Sequence, residues 1–227
     1  DSSLGSVFAG TLFYDGQGFM VKKASKITRA AQLNGATICV QPGTTTELNL
    51  SDFFRVKKMT FKPVVISELN QIEQAFFAGR CDVYTTDASA LAATRAANVP
   101  APLTIEDFVI LPEIISKEPL GPVVRHGDNQ FADIVRWTLF AMIEAEEYGI
   151  AQGNVDGMRA SSTDPVVQRI LGTSEDTGKL LGLDKDWAYR AIKAVGNYGE
   201  IFERNVGPKS PLKLPRGANN LWNKGGL

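Results

Sequence analysis

Three consecutive threonines, Thr44, Thr45 and Thr46, follow Pro42-Gly43 at the end of the apolar run Ile38-Cys39-Val40-Gln41. A strand that stops at Pro-Gly and opens a helix on hydroxyl side chains leaves backbone N–H groups without intrahelical partners, at the helix end whose dipole favours negative charge. Threonine hydroxyls add donors without adding bulk, so the pattern suits a carboxylate or a phosphate. Further along, Asp82-Val83-Tyr84-Thr85-Thr86-Asp87 reads as a second buried strand, this one ending in an acid. The C-terminal ends of neighbouring parallel strands share one crevice. One side of that crevice then takes an anion and the other a cation, the charge pair that an α-amino acid carries on adjacent atoms.

The same residues have ordinary structural uses. Thr44 to Thr46 can form an N-cap that satisfies orphan amides, and Asp87 can cap a helix over 88–97. Gln41 is a weaker binding candidate, as is Tyr84, because strand positions just before a crevice more often serve the core.

The elements that position these groups follow from periodicity and punctuation. The order is a strand at 37–41, a helix from Thr44, a strand at 62–66, a helix marked by Ile72, Ala75 and Phe76 and stopped by Gly79, then the strand ending at Asp87. A βαβαβ unit of this kind makes a small parallel sheet with right-handed crossovers. Cys39 and Cys81, the two cysteines of the chain, sit one on each of the crevice strands. They either pair as a disulfide, the expected outcome if the strands are neighbours, or stand as two buried thiols.

Around this module run two extended passages. Residues 7–22 carry two apolar runs about Asp15-Gly16-Gln17-Gly18, and 108–116 is a second extended apolar stretch. Both read as crossing strands, which makes 21–117 a central lobe and 1–20 with 118–227 a discontinuous one. Beyond Val123 the pattern is helical: an Asp128-capped helix to Glu147, one over 164–171 and one over 186–195, followed by a glycine-rich, loop-rich C-terminal region. Phe131, Trp137 and Phe140 at helical spacing read as core packing, and Trp187, Tyr198 and Trp222 as local packing.

Composition narrows the classes further. A formal net charge of −1, with no extended block of Lys or Arg, leaves no electrostatic footprint for nucleic acid. The apolar stretch from Phe131 to Ile143 is interrupted by Asp133 and Arg136 and is too short to span a bilayer. The single His126 stands in the Arg125-His126-Gly127-Asp128 loop with no cysteine beside it, so neither a metal site nor a cofactor is expected. No Ser-His or Cys-His pairing is present to activate a nucleophile, and no catalytic residue is assigned. No signal peptide opens the chain, and processing or truncation is expected to have removed what came first.

Three segments, 41–48, 78–87 and 195–205, resemble the periplasmic amino-acid-binding proteins of ABC importers, in the general L-amino-acid branch, and the likeness extends over essentially the whole chain. The resemblance implies an α/β fold of the type II periplasmic-binding-protein kind, with two lobes joined by two crossing strands. The first lobe is expected to be incomplete, its N-terminal part, an arginine clamp and covering aromatics lying before Asp1. It also implies that Thr45 and Thr46, with Thr44 adjacent, hold the ligand carboxylate and that Asp87 holds the ammonium. The function implied is non-catalytic capture of free L-amino acids in the periplasm for a membrane permease. A homodimer through uncovered helix faces of the incomplete lobe is a further expectation. An amino-acid-related lyase or dehydratase, or the ligand-sensing domain of a receptor, fits the same fold.

Overall fold

The computed structural model describes residues 2–226. In it the apolar run before the threonines becomes β4 (Thr37–Val40), an internal strand of a five-stranded sheet. That sheet also holds β3 (Gln17–Lys22), β5 (Lys62–Val65), β6 (Val83–Asp87) and β7 (Phe108–Ile110), in the order β5-β4-β6-β3-β7. The expected βαβαβ unit forms through α1 (Thr45–Val56) and α2 (Leu69–Phe77), with β4 parallel to both β5 and β6. A third helix, α3 (Ala88–Ala97), follows β6 directly.

Alternation along the strands decides which residues meet which helices. Phe19, Val21, Ile38, Val40 and Val83 pack with Leu50 and Phe54 of α1 on one face. Met20, Cys39 and Tyr84 pack with Ile72 and Phe76 of α2, Leu91 of α3 and Phe108 on the other. On this second face Cys39 and Cys81 are joined as a disulfide, their Cα atoms 5.7 Å apart. Beside it, the carboxylate of Asp82 accepts from both the N–H (2.9 Å) and the hydroxyl (2.5 Å) of Thr37, so the starts of β4 and β6 are fastened twice.

The chain divides into two units. The central one comprises Asp15–Glu118 with Pro211–Leu214; the discontinuous one comprises the stretch up to Tyr14, Pro119–Ser210 and the stretch from Pro215. Sequence alone put residues 15–20 outside the central lobe. The difference arises because β3 pairs antiparallel with β6 on one side and β7 on the other, burying its residues on both faces, which makes it an interior strand rather than a hinge. Nor is 108–116 a crossing strand throughout: β7 covers only its first part and belongs to the central sheet. The crossings are carried by β2 (Phe13–Asp15) and β8 (Glu118–Leu120), which pair with each other.

The discontinuous unit is mainly helical, apart from a short antiparallel pair of β1 (Ser6–Phe8) and β9 (Val123–Arg125). Its long helix α4 (Asn129–Glu147) starts where expected, with Asp128 accepting the Phe131 N–H at 3.1 Å. After the short helix α5 (Val155–Ser161), α6 (Pro165–Ile170) is capped by Asp164 and opens on proline, and α7 (Trp187–Val195) matches its expected span. A further helix, α8 (Tyr198–Asn205), lies in the region read as loop; its signal was the reciprocal Asn197–Glu200 capping box.

Phe131, Trp137 and Phe140 are not core residues. They are 51%, 51% and 43% exposed, and the buried stripe of α4 is Ala132, Leu139, Ala141, Met142 and Ala145. At 3.6 residues per turn Trp137 and Phe140 fall on the opposite side of the helix from that stripe, where their rings meet edge to face at 5.7 Å. Trp222 is also exposed, whereas Tyr198 is buried. No helix among the described residues is long and apolar enough to cross a membrane.

Candidate functional site

Sheet topology concentrates the candidate residues at one edge of the central unit. From β4 the chain crosses through α1 to β5 on one side, and from β6 it continues through α3 towards β7 on the other. Neighbouring parallel strands that send the chain in opposite directions define a switch point, where the crevice lies beyond their C-terminal ends. Here those ends deliver Thr44–Thr46 from β4 and Asp87 from β6. Because β3 runs antiparallel to β6, its first residue, Gln17, arrives at the same edge, in register with Asp87.

The three threonines divide their duties. Thr44 is the N-cap of α1: its hydroxyl accepts the Glu47 N–H at 3.3 Å and donates to the Gln41 carbonyl at 2.9 Å. The Glu47 carboxylate reaches back to accept the Gly43 N–H at 2.8 Å. The structural use weighed for these residues thus applies to Thr44. The N–H groups of Thr45 and Thr46 have no hydrogen-bond partner among the described residues, and both residues reach solvent. Two dipole-aligned donors therefore remain for an anion. Gln41 is engaged elsewhere, its Nε2 donating to the Ser67 carbonyl at 2.8 Å and pinning the loop after β5.

Asp87 occupies the N-cap position of α3 without capping it, since its side chain accepts no bond from the helix. The Ala88 N–H donates instead to the Gly16 carbonyl, 2.8 Å away. Burial, and then the charges of Asp15 and Glu118, raise the pKa of Asp87. Both neighbours are themselves hydrogen-bonded: Asp15 accepts from the Gly16 N–H (2.8 Å), the Ser89 N–H (3.3 Å) and the Ser89 hydroxyl, and Glu118 accepts from the Ser116 hydroxyl at 2.8 Å. Of the three, Asp87 is the carboxylate that accepts no hydrogen bond from the described residues, and it lies in a negatively charged corner, an arrangement that suits a cation rich in N–H donors. Among the described residues no group of three His, Cys, Asp or Glu is arranged to hold a metal ion.

Sequence reading passed over Gln17 and Thr85. Gln17 is buried, and its Nε2 donates both to the carbonyl of Thr46 (3.0 Å) and to the hydroxyl of Thr85 (2.9 Å), which in turn donates to the Gly18 carbonyl at 2.8 Å. The available signal was a glutamine leading the apolar run Gly18-Phe19-Met20-Val21, where an amide must find partners inside the protein.

The discontinuous unit has a cavity of its own, of about 320 Å³, lined in part by Leu12, Tyr198, Glu146, Arg216 and Asn219. Its polar groups bind one another: Arg216 makes a two-pronged pair with Glu146 at 3.0 Å, and the Tyr198 hydroxyl donates to the Leu12 carbonyl at 2.8 Å.

No family model matches the chain. It is 55% identical over 232 residues to the general L-amino acid-binding periplasmic protein AapJ of Rhizobium johnstonii. It is 54% identical over 227 residues to the glutamate/glutamine/aspartate/asparagine-binding protein BztA of Rhodobacter capsulatus. All of this chain is aligned in both, and it spans 66% of the length of each of these curated relatives. Among solved structures it is similar to an ABC transporter / periplasmic binding protein from Brucella ovis with glutathione bound. That likeness has a TM-score of 0.88 at 55% identity and takes in all of this chain and 70% of the other.

Proposed function

This chain belongs to the periplasmic binding proteins of ABC transporters, and on that premise we propose that it captures free L-α-amino acids in the periplasm and presents them to a membrane permease. The observation that carries the reading is the pairing, at one switch point, of the unpartnered Thr45 and Thr46 amides with the Asp87 carboxylate. The ligand carboxylate lies against the start of α1 and its ammonium against Asp87. Recognition of these shared groups accepts many side chains, in keeping with the breadth in the names of the two curated relatives. The reading is of binding without chemistry: Asp87 serves as a counter-ion, and the neighbouring carboxylates of Asp15 and Glu118 are engaged by Gly16, Ser89 and Ser116.

Isothermal titration calorimetry with a panel of L-amino acids, acidic, neutral and basic, tests the proposal. One-to-one binding that is lost in Asp87→Asn supports it; an unchanged affinity in that variant excludes Asp87 from the site.

A second ligand has a specific observation in its favour. Glutathione, bound in the Brucella ovis protein, carries a free α-ammonium and α-carboxylate on its γ-glutamyl end. The same two clamps therefore accommodate it through those atoms. Displacement of L-glutamate by glutathione, but not by its N-acetylated form, is the expected result if this reading applies.

For assembly, the half-exposed Trp137–Phe140 pair on α4 supports a two-fold dimer that buries this apolar face.

A further inference from the structure

We infer that Gln17 is a positioning residue that sets the separation between the carboxylate and ammonium ends of the site, an inference that rests on the proposed capture of an α-amino acid by Thr45, Thr46 and Asp87. Gln17 is only 1% exposed and is held at three points. Its backbone N–H donates to the Ser116 hydroxyl at 3.0 Å, its carbonyl accepts the Ile115 N–H at 2.8 Å, and its residue partner across the β3–β6 ladder is Asp87. From this anchored base a single nitrogen, Nε2, grips the first turn of α1 through the Thr46 carbonyl and grips β6 through the Thr85 hydroxyl.

The two ends of the site stand on different elements, α1 and the end of β6; the β4–β6 ladder joins their bases, but among the described residues no other hydrogen bond links α1 itself to β6, only packing. Packing tolerates small slides of a helix along a sheet. A buried hydrogen bond does not, because a donor pulled out of reach in a dry interior forfeits both the bond and its solvation. One amide bridging both elements thus fixes their spacing to within the tolerance of a hydrogen bond, about 0.3 Å. The charges of an α-amino acid are separated by one carbon, those of a β-amino acid by two, so a fixed spacing selects between them. The geometry also leaves Gln17 Oε1 buried without a partner among the described residues, a cost that a residue present only for packing has no reason to carry.

The test compares Gln17→Leu, similar in volume but unable to bridge, with the unaltered protein, measuring affinity for L-alanine and for β-alanine by displacement of a bound L-amino acid. The expected result is a loss of about tenfold for every L-α-amino acid, the size of one hydrogen bond at the upper end of its net worth, with their rank order unchanged and a smaller loss or a gain for β-alanine. Equal losses for L-alanine and β-alanine, or no loss, overturn the inference. Thr85→Val, which removes one of the two grips while keeping shape, is expected to reproduce the narrowed α-over-β preference in part. It carries the test if Gln17→Leu does not fold, and an unchanged preference in it then overturns the inference. Asp87→Asn separates the two levels: if it abolishes binding while Gln17→Leu has no effect, the role of Gln17 fails and the site stands. If it leaves binding unchanged, the reading of the site fails and the inference with it.

Discussion

The Asp87 carboxylate shares its corner of the central unit with that of Asp15, whose own oxygens are held by the N–H and hydroxyl of Ser89, two residues beyond Asp87. Burial first, then the charge of Asp15, then that of Glu118 raise the Asp87 pKa. A carboxylate in this position is poorly served when charged and alone, and a cation arriving beside it relieves all three effects together. The affinity for an ammonium group proposed for Asp87 and the cost of leaving its charge unpaired therefore have the same origin.

Asp87→Asn is expected to raise the stability of the unliganded protein at neutral pH. The native state holds the Asp87 proton to higher pH than the unfolded chain does. Stability therefore falls as pH rises through the window between the ordinary aspartate pKa and the raised one, and the full cost is present above it. Urea unfolding at neutral pH should show the variant ahead, with the gap closing below the ordinary aspartate value. A less stable variant at neutral pH would contradict this.

The same titration governs ligand binding. The proposed ammonium capture requires ionised Asp87, so affinity should be flat at pH values above the raised pKa of the empty site. It should then fall as pH drops through the raised pKa of the empty site, approaching tenfold per pH unit as a proton is displaced for each ligand bound. Removing one partner of a partly buried ion pair costs about 3–5 kcal/mol, so Asp87→Asn should weaken binding at least a hundredfold and erase this pH dependence. Calorimetry in buffers of different ionisation enthalpy reads the proton count directly.

Cys39 and Cys81 close a loop with a sequence separation of 42, for which the chain-entropy relation gives about 4 kcal/mol of stabilisation. Reduction, or the double serine variant, should lower the unfolding midpoint accordingly, as followed by circular dichroism in denaturant. Titration of the denatured, unreduced protein should find no free thiol.

Next to the disulfide, the Thr37 hydroxyl, and then the Thr37 N–H, hold the Asp82 carboxyl below its ordinary pKa. This acid contributes stability above the unfolded-state pKa that is lost as pH falls through the lowered folded-state value. Thr37→Val is expected to cost about 1 kcal/mol or less, since the carboxylate is largely exposed and solvent screens it. The penalty should shrink in acid; a pH-independent penalty would point to packing instead.

Trp137 and Phe140 give the assembly proposal a direct probe. Phe140→Glu or Trp137→Glu should shift light-scattering mass towards the monomer without lowering the unfolding midpoint by more than a degree or two, because neither side chain belongs to the buried stripe of α4. A monomer in the unaltered protein at micromolar concentration rules out the dimer.

What the sequence determined by itself was whatever depends on neighbours along the chain. The βαβαβ order from Thr37 to Asp87, the cap at Asp128, and the placement of three threonines at a helix start and of an acid at a strand end are all local patterns of period, punctuation and cap chemistry. The Asn197–Glu200 cap was equally local; the buried Gln17 at the head of β3 carried a local signal, but its partners Thr46 and Thr85 are remote in sequence and only the tertiary structure supplied them. Tertiary structure alone decided the rest. That β3 lies inside the sheet rather than hinging outside it follows from pairing with β6 and β7, strands distant in sequence. That Thr44 caps while Thr45 and Thr46 stay free depends on where Glu47 turns, and that Asp87 does not cap α3 depends on Gly16 taking the Ala88 N–H. That Trp137 and Phe140 face away from the core could not be read from helical spacing, because spacing establishes that apolar residues share a face of a helix but not which face the rest of the fold covers.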